Sequence, residues 1–362
     1  MLDLKTFFST PIKIESIELL RVDKSYYVRT TSSDGAAGIT SANDRLLNTL
    51  TLFRNLIIPY FKGKDARDLE TLVDGVYIYD SYYKYAGMPF WNAVGHIEIS
   101  LFDMMGKISG QPVGSLLGKK IRSEIPVYIS RLTRETTPEE EVEQVEKALT
   151  MTGTKAVKLK IGGRMFNNAH FTRRTNRMIP LVRSRLGDNI TIYVDSNGSY
   201  DADEAISVGR MLQEHDVGFF EEPCGWQEYE QTKRVADALT MIVAGGEQDT
   251  SLAQFEWMIR HRVVDLVQPD LYYNGGFIRC LRVARMAEKV GMKITPHSPK
   301  SGADAAAMLH FASVVANLGP HQEYSASPEV KNGLVKVPTG PGLGIHIDPK
   351  LIRDAETVVP GK

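Results

Sequence analysis

Six residues able to hold a metal ion or move a proton recur along the second half of the chain at nearly one interval. They are Asp195, Glu221, Glu247, Asp270, His297 and Glu323, spaced 23 to 27 residues apart. Almost every one closes a short apolar, β-branched run: ITIYVD, VGFFE, MIVAGGE, VVDLVQPD, MKITPH and the briefer PHQE. A strand, a helix and two loops take about that many residues, so the series supplies one functional group per βα unit. In a closed parallel barrel the strand ends converge on one face, which would gather the six into one site.

Asp195, Glu221 and Glu247 end three consecutive strand candidates. Three carboxylates meeting at a point repel one another and need compensation. A hard divalent cation provides it, and an all-oxygen donor set favours Mg²⁺ or Mn²⁺ over Zn²⁺. Lys158 and Lys160 stand two apart in AVKLKIGG and so share one face of a strand. Beside such a centre a lysine can be driven below its usual pKa of about 10.4 and act as a base. Asp270 and His297 end consecutive strands, where the carboxylate can hold one ring nitrogen and leave the other to act as acid or base. Glu323 ends the last strand, within reach of a substrate carboxylate. Asn197 shares the parity of Asp195 and is a candidate for substrate binding, as are Ser130 and Arg131 after the first barrel strand. Glu222 has the opposite parity to Glu221 and reads as structural.

These residues need a frame that repeats. Eight strand candidates occur from residue 126: 126–130, 156–161, 190–195, 217–222, 241–246, 263–268, 292–297 and 321–325. Helical patterns fill the first seven gaps and none follows the eighth strand. The expected fold class is α/β, a (β/α)7β modified TIM barrel over residues 124–330. Residues 1–123 break the rhythm. IKIESIELLRV and SYYVRTTSSDGAAGIT read as two strands, followed by helices over RLLNTLTLFRNLIIPYF and NAVGHIEISLFDMMGKISG, which makes an N-terminal α+β domain. The Gly/Pro-rich segment 331–362 is expected to leave the barrel.

The bulk numbers narrow the partners. A chain of 362 residues with 43% hydrophobic and 24% charged residues has room for a barrel and a second domain. A net charge of −1 gives no electrostatic footprint for nucleic acid or an anionic membrane, so the expected partner is a small molecule. Cys224 and Cys280 are the only cysteines, too few for a disulfide framework. The N-terminal stretch lacks the unbroken apolar core of a signal peptide, and no run suits a membrane helix. A cytoplasmic location is expected.

The ordered set of KLK (158–160), Asp195 with Asn197, EEP (221–223), GGEQ with Glu247, QPD with Asp270, PH with His297 and Glu323 resembles the mandelate racemase subgroup of the enolase superfamily. The likeness runs over essentially the whole chain. It implies that Asp195, Glu221 and Glu247 ligate Mg²⁺ and that Lys160 is the base on one face of the substrate. Lys158 would sit beside Lys160, depressing its pKa. His297, supported by Asp270, would serve the other face, and Glu323 would hydrogen-bond the substrate carboxylate. The N-terminal domain would cap the barrel, with the C-terminal segment returning to it, and the protein would be a homo-oligomer. Loops at 22–34 and 76–91 would be lids, their tyrosines 26, 27, 79, 82, 83 and 85 facing a polyol. One departure lies in the cap, where GAAGITSAND lacks the glutamate that often ends the early strand of the family.

The chemistry expected is Mg²⁺-dependent removal of the proton next to a carboxylate. Dehydration of an acid sugar to a 2-keto-3-deoxy acid leads. Racemisation or epimerisation of a 2-hydroxy acid follows, since bases on both faces suit it equally. A barrel that binds metal and ligand without turnover is the reading from another class.

Overall fold

The computed structural model describes residues 2–361. Three antiparallel strands open the chain: β1 (Ile14–Val22), β2 (Ser25–Ser32) and β3 (Ala37–Ala42). Only Asp23 and Lys24 lie between the paired Val22 and Ser25, so most of the lid expected at 22–34 is a hairpin strand. The second expected strand divides at Gly35 (φ +85°), where Ser32 N–H donates to Ala36 O at 2.9 Å. The helix expected over 45–61 is also broken, into Asp44–Leu47, Leu50–Leu52, a π turn Phe53–Ile57 and Ile58–Phe61. The interruption falls at Asn48–Thr49, and Pro59, which brings no N–H to the ladder, favours the π turn before it. A further helix, Leu69–Ile78, precedes the tyrosine-rich 3₁₀ segment Tyr79–Tyr85. In that segment Tyr82 is buried, while Tyr79, Tyr83 and Tyr85 are exposed.

The helix Met88–Ser109 starts with Pro89 in its first turn and ends at Gly110 in a left-handed cap. It is buried from Phe90 to Gly106 because it lies between the antiparallel sheet and the barrel. Glycines on either side permit the approach. A Cβ at Gly38 would stand 2.0 Å from Ser100 O, and one at Gly95 would stand 2.5 Å from Tyr272 O. Glu98 fastens this helix to the barrel: its carboxylate accepts Phe277 N–H (3.0 Å) and Ile278 N–H (2.9 Å), capping the helix Phe277–Lys289.

Burial pushes the Glu98 carboxyl up to about 8 from its ordinary 4.5, against the pull of the two N–H donors. A carboxyl that holds its proton more tightly when folded adds stability below its unfolded pKa, and loses that contribution as pH rises to the folded value. Glu98→Gln cannot ionise, so stability should fall less steeply between pH 5 and 8 in the variant than in the parent. Urea unfolding at three pH values measures this. Equal slopes in the two proteins would remove Glu98 as the cause.

Eight parallel strands follow: β4 (Glu124–Ser130), β5 (Ala156–Lys160), β6 (Thr191–Asp195), β7 (Val217–Glu221), β8 (Ile242–Gly245), β9 (Leu266–Val267), β10 (Lys293–Ile294) and β11 (Gln322–Tyr324). Neighbours pair in chain order from β4 to β10, and β11 returns to pair with β4. The bridge Ile294↔Leu318 closes the ring. This is the (β/α)7β barrel. β9 and β10 are shorter than expected because Pro269 and Pro296 interrupt the ladder, which resumes as the single bridge Asp270↔His297.

Alternation of side chains sorts the barrel interior into layers. Tyr128, Ala156, Tyr193, Phe219, Ala244 and Leu266 form a buried apolar cluster, with Tyr193 and Phe219 stacked at 4.0 Å. Two residues further along the same strands stand Ser130, Lys158, Asp195 and Glu221. One pleat therefore separates an aromatic floor from a charged layer.

Two more strands come from the tail. β12 (Leu334–Lys336) pairs antiparallel with the start of β4, and β13 (Glu356–Val359) joins the outer edge of β1. Contrary to expectation, a helix does follow β11: the short Pro349–Arg353, capped by Asp348 and outside the barrel ring. Among the described residues no helix is long and apolar enough to cross a membrane.

Candidate active site

Asp195, Glu221 and Glu247 bring one carboxylate oxygen each to within 4.8 Å of one another, and all three are buried. Asp195 and Glu221 are cross-strand partners at the ends of β6 and β7. Glu247 comes two residues after β8, turned inward by Gly246 at φ +113°, a conformation that favours glycine. Its Oε2 accepts no hydrogen bond, although His297 Nε2 lies 3.3 Å away. A buried anionic oxygen without a donor is costly unless a cation completes it. The donors are all carboxylate oxygens, so the set fits Mg²⁺ or Mn²⁺.

Lys158 is fully buried beneath this triad. Its ammonium donates to both Glu221 oxygens (2.8 and 2.7 Å) and lies 2.8 Å from Glu323 Oε1 and 3.9 Å from Asp195 Oδ2. Burial alone would lower its pKa, but Glu221 and Glu323 hold it well above the ordinary lysine value. Lys158 is thus a locked structural cation as well as a neighbour of Lys160. Glu323 is equally engaged: Ser130 Oγ donates to Oε1 at 2.7 Å and Ser298 N–H to Oε2 at 2.7 Å. Burial raises its carboxyl, yet Lys158 and His297 outweigh this and bring it to about 2.

On the Glu247 side, His297 Nδ1 lies 2.8 Å from Asp270 Oδ2. Asp270 Oδ1 accepts the N–H groups of Tyr272 (2.7 Å) and Tyr273 (2.9 Å), which fixes the carboxylate before it meets the ring. Burial pushes the imidazole down, but Glu247 and Asp270 together raise it to about 10. On the Asp195 side, Lys160 Nζ is hydrogen-bonded to Asp195 and, at 3.1 Å, to Asn197 Oδ1.

Two assignments differ from expectation. Arg131 does not enter the mouth. It follows Ser130 with opposite parity and donates outward to Glu141 on the helix Pro138–Thr152 (Nε to Oε1, 2.7 Å). Arg134, further along the same loop, enters instead, donating to Asn197 Oδ1 (2.8 Å) and Gly162 O (3.2 Å). No periodicity marks a loop residue of this kind, so the sequence offered no signal for it. Glu222 also faces the centre. Its left-handed backbone (φ +43°) cancels the alternation on which parity rests, and its Oε2 accepts from Asn197 Nδ2 at 3.2 Å. Burial, then Glu247 and Asp195, raise its carboxyl well above the ordinary range. Gln268, which donates to Glu221 Oε2 at 2.8 Å, was legible: it has the parity of Asp270 two residues before it. Cys224 and Cys280 are both buried, and burial pushes the Cys224 thiol up to about 12.

A parallel barrel with carboxylates on consecutive strand ends, a lysine pair before them and an Asp–His pair after them defines a class: barrel enzymes that act at an acid-lined centre under an α+β cap. The family described as enolase C-terminal domain-like matches residues 140–351, and the chain belongs to it, within the mandelate racemase subgroup of the enolase superfamily. An arabinonate dehydratase of Saccharolobus solfataricus is 28% identical over 292 residues, 75% of each chain. A solved structure from Roseobacter denitrificans, described as a candidate racemase, is 33% identical with a TM-score of 0.88, covering 96% of this chain and 99% of that one. A mandelate racemase/muconate lactonizing protein from Paracoccus denitrificans Pd1222, solved in complex with magnesium, is 27% identical with a TM-score of 0.89 and the same coverage.

Proposed function

We propose that the protein is a Mg²⁺-dependent lyase that dehydrates an acid sugar to a 2-keto-3-deoxy acid. The observation that carries this is the flanking of the carboxylate triad by a proton carrier on each side: Lys160 against Asp195 and His297 3.3 Å from Glu247. The dehydratase among the relatives supports the reaction class. Asp195, Glu221 and Glu247 would hold Mg²⁺, which supplies positive charge to the substrate carboxylate as negative charge develops there. Lys160 or His297 takes the α-proton. Asp270 keeps His297 Nδ1 occupied, so that Nε2 faces the substrate. His297 then gives a proton to the departing β-hydroxyl, water leaves, and the enol tautomerises. Glu247 is the charge that most raises the imidazole pKa, and sharing it with a cation would let His297 begin neutral, to take the α-proton and return it to the hydroxyl, or protonated, to donate where Lys160 is the base. Asn197, held by Lys160 and Arg134, is placed to meet a substrate hydroxyl.

Proton carriers on both sides equally support 1,1-proton transfer, which makes racemisation the second reading. Incubation with Mg²⁺ and a library of sugar acids should yield 2-keto acid. Deuterium uptake at the α-carbon from D₂O without keto acid would leave racemisation, and neither signal with any acid would remove both.

A further inference from the structure

The cap grips the loop after β9 at several points, and that loop begins with Asp270, the support of His297. At the far end of the loop Glu98 receives the N–H groups of Phe277 and Ile278. At the near end Gly95 lies so close to Tyr272 O that a Cβ there would stand 2.5 Å from it. The buried Thr40 of β3 shares a hydrogen bond of 3.0 Å with the Tyr272 hydroxyl. The His96 ring lies 4.8 Å from the Tyr272 ring, centre to centre. His96 is itself fastened within the cap: Nδ1 donates to Asn92 O at 2.7 Å, and Nε2 accepts Asn43 N–H at 3.3 Å. Burial pushes this imidazole down to about 4 from 6.5, so the ring beside Tyr272 stays neutral.

The loop can transmit these contacts because it is tied to itself. Asp270 Oδ1 accepts the N–H groups of Tyr272 and Tyr273, Asp270 O accepts Asn274 N–H at 3.0 Å, and Leu271 O accepts Gly276 N–H at 2.7 Å. A turn closed by so many short bonds moves as a unit. Three hydrogen bonds therefore run from the cap to the imidazole: Thr40 to the Tyr272 hydroxyl, Tyr272 N–H to Asp270, and Asp270 to His297 Nδ1. Among the described residues the Tyr272 hydroxyl has no other hydrogen-bond partner. Without Thr40 it would stand buried and unpaired, which favours a shift of the loop. We propose that Thr40 and Tyr272 are positioning residues, through which the cap sets the aim of His297 Nε2 for proton transfer. This rests on the reading of His297 as a proton carrier and holds for dehydration and racemisation alike. It goes further in making proton transfer depend on how the cap is seated, with neither residue touching the substrate.

The test compares the Mg²⁺-loaded parent with Tyr272→Phe, Thr40→Val and Thr40→Ser on the sugar acid that the parent turns over fastest. Phenylalanine keeps the ring beside His96 and valine keeps the branching of threonine, so both variants should fold. In each, kcat should fall about tenfold, the lower end of what the outer partners of a site contribute. KM should stay within about twofold and Mg²⁺ affinity should not change. Thr40→Ser keeps the hydroxyl and should retain most of kcat. The decisive readout is a double-variant cycle. In the His297→Asn background, Tyr272→Phe should change the residual kcat by less than about twofold, because its only route to the chemistry is gone. An equal loss in both backgrounds, or a parent-like kcat in Tyr272→Phe, overturns the proposal and leaves the proposed function standing. A kcat loss matched by a loss of Mg²⁺ affinity also overturns it, since the metal ligands do not lie on this chain of bonds. A parent that turns over no acid removes the proton-carrier reading together with this one.

Discussion

His297→Asn is expected to lower turnover by about 10² to 10⁴, the span of a general acid–base group, while Mg²⁺ affinity stays within a few-fold of the parent. Asparagine can still donate to Asp270 Oδ2, which the imidazole now engages at 2.8 Å, so the loop at Asp270 keeps its partner. It cannot accept a proton. Glu247 Oε2 loses a neighbour at 3.3 Å that was not hydrogen-bonded to it, so the carboxylate triad keeps its donors. Calorimetric Mg²⁺ titration beside steady-state kinetics separates the two roles. Should Mg²⁺ affinity collapse along with turnover, the division between ligands and proton carriers would be wrong.

Lys158→Met should act in the opposite sense on two observables. The metal-free protein is expected to lose about 3 to 5 kcal/mol of stability, the cost of leaving buried charges without their partner. Glu221 and Glu323 would then face each other with no cation between them, since Lys158 lies within 2.8 Å of both. Methionine fills nearly the same volume, so little of the loss comes from a cavity. Mg²⁺ affinity should rise, because an ammonium 3.9 Å from Asp195 and bonded to Glu221 repels an incoming dication. Added Mg²⁺ should accordingly recover more stability in the variant than in the parent. Urea unfolding of chelator-treated protein, with and without Mg²⁺, reads both effects. A stable metal-free variant with unchanged affinity would show that Lys158 does not hold the charged layer together.

How far these arguments were available from sequence depended on whether the backbone kept a period. Where strands run straight, a step of two residues leads from Tyr193 to Asp195 and from Phe219 to Glu221, and the interior face follows from parity alone. The contact between Asp270 and His297 follows in the same way from one βα step, with a proline before each. Parity failed one residue past the strand, at Glu222, where φ turns positive and a side chain expected to face away faces the triad. Loops carry no period at all. Arg131 and Arg134 differ by three positions in one loop, and only their hydrogen bonds reveal which of them enters. In the N-terminal domain the turn at Gly35 split one apparent strand into two, and the helix expected over 45–61 broke at Asn48–Thr49. Both are breaks that composition suggests but cannot locate.

The aromatic floor of the barrel has a further consequence. With Tyr128, Tyr193 and Phe219 packed across the interior, the charged layer is the bottom of a vessel with a single opening. In the proposed reaction substrate and product would share one passage, through the open face of the barrel. Entry and exit therefore exclude each other. A product that lingers at the mouth would bar the next substrate, so the opening that admits substrate would also set how fast the vessel empties.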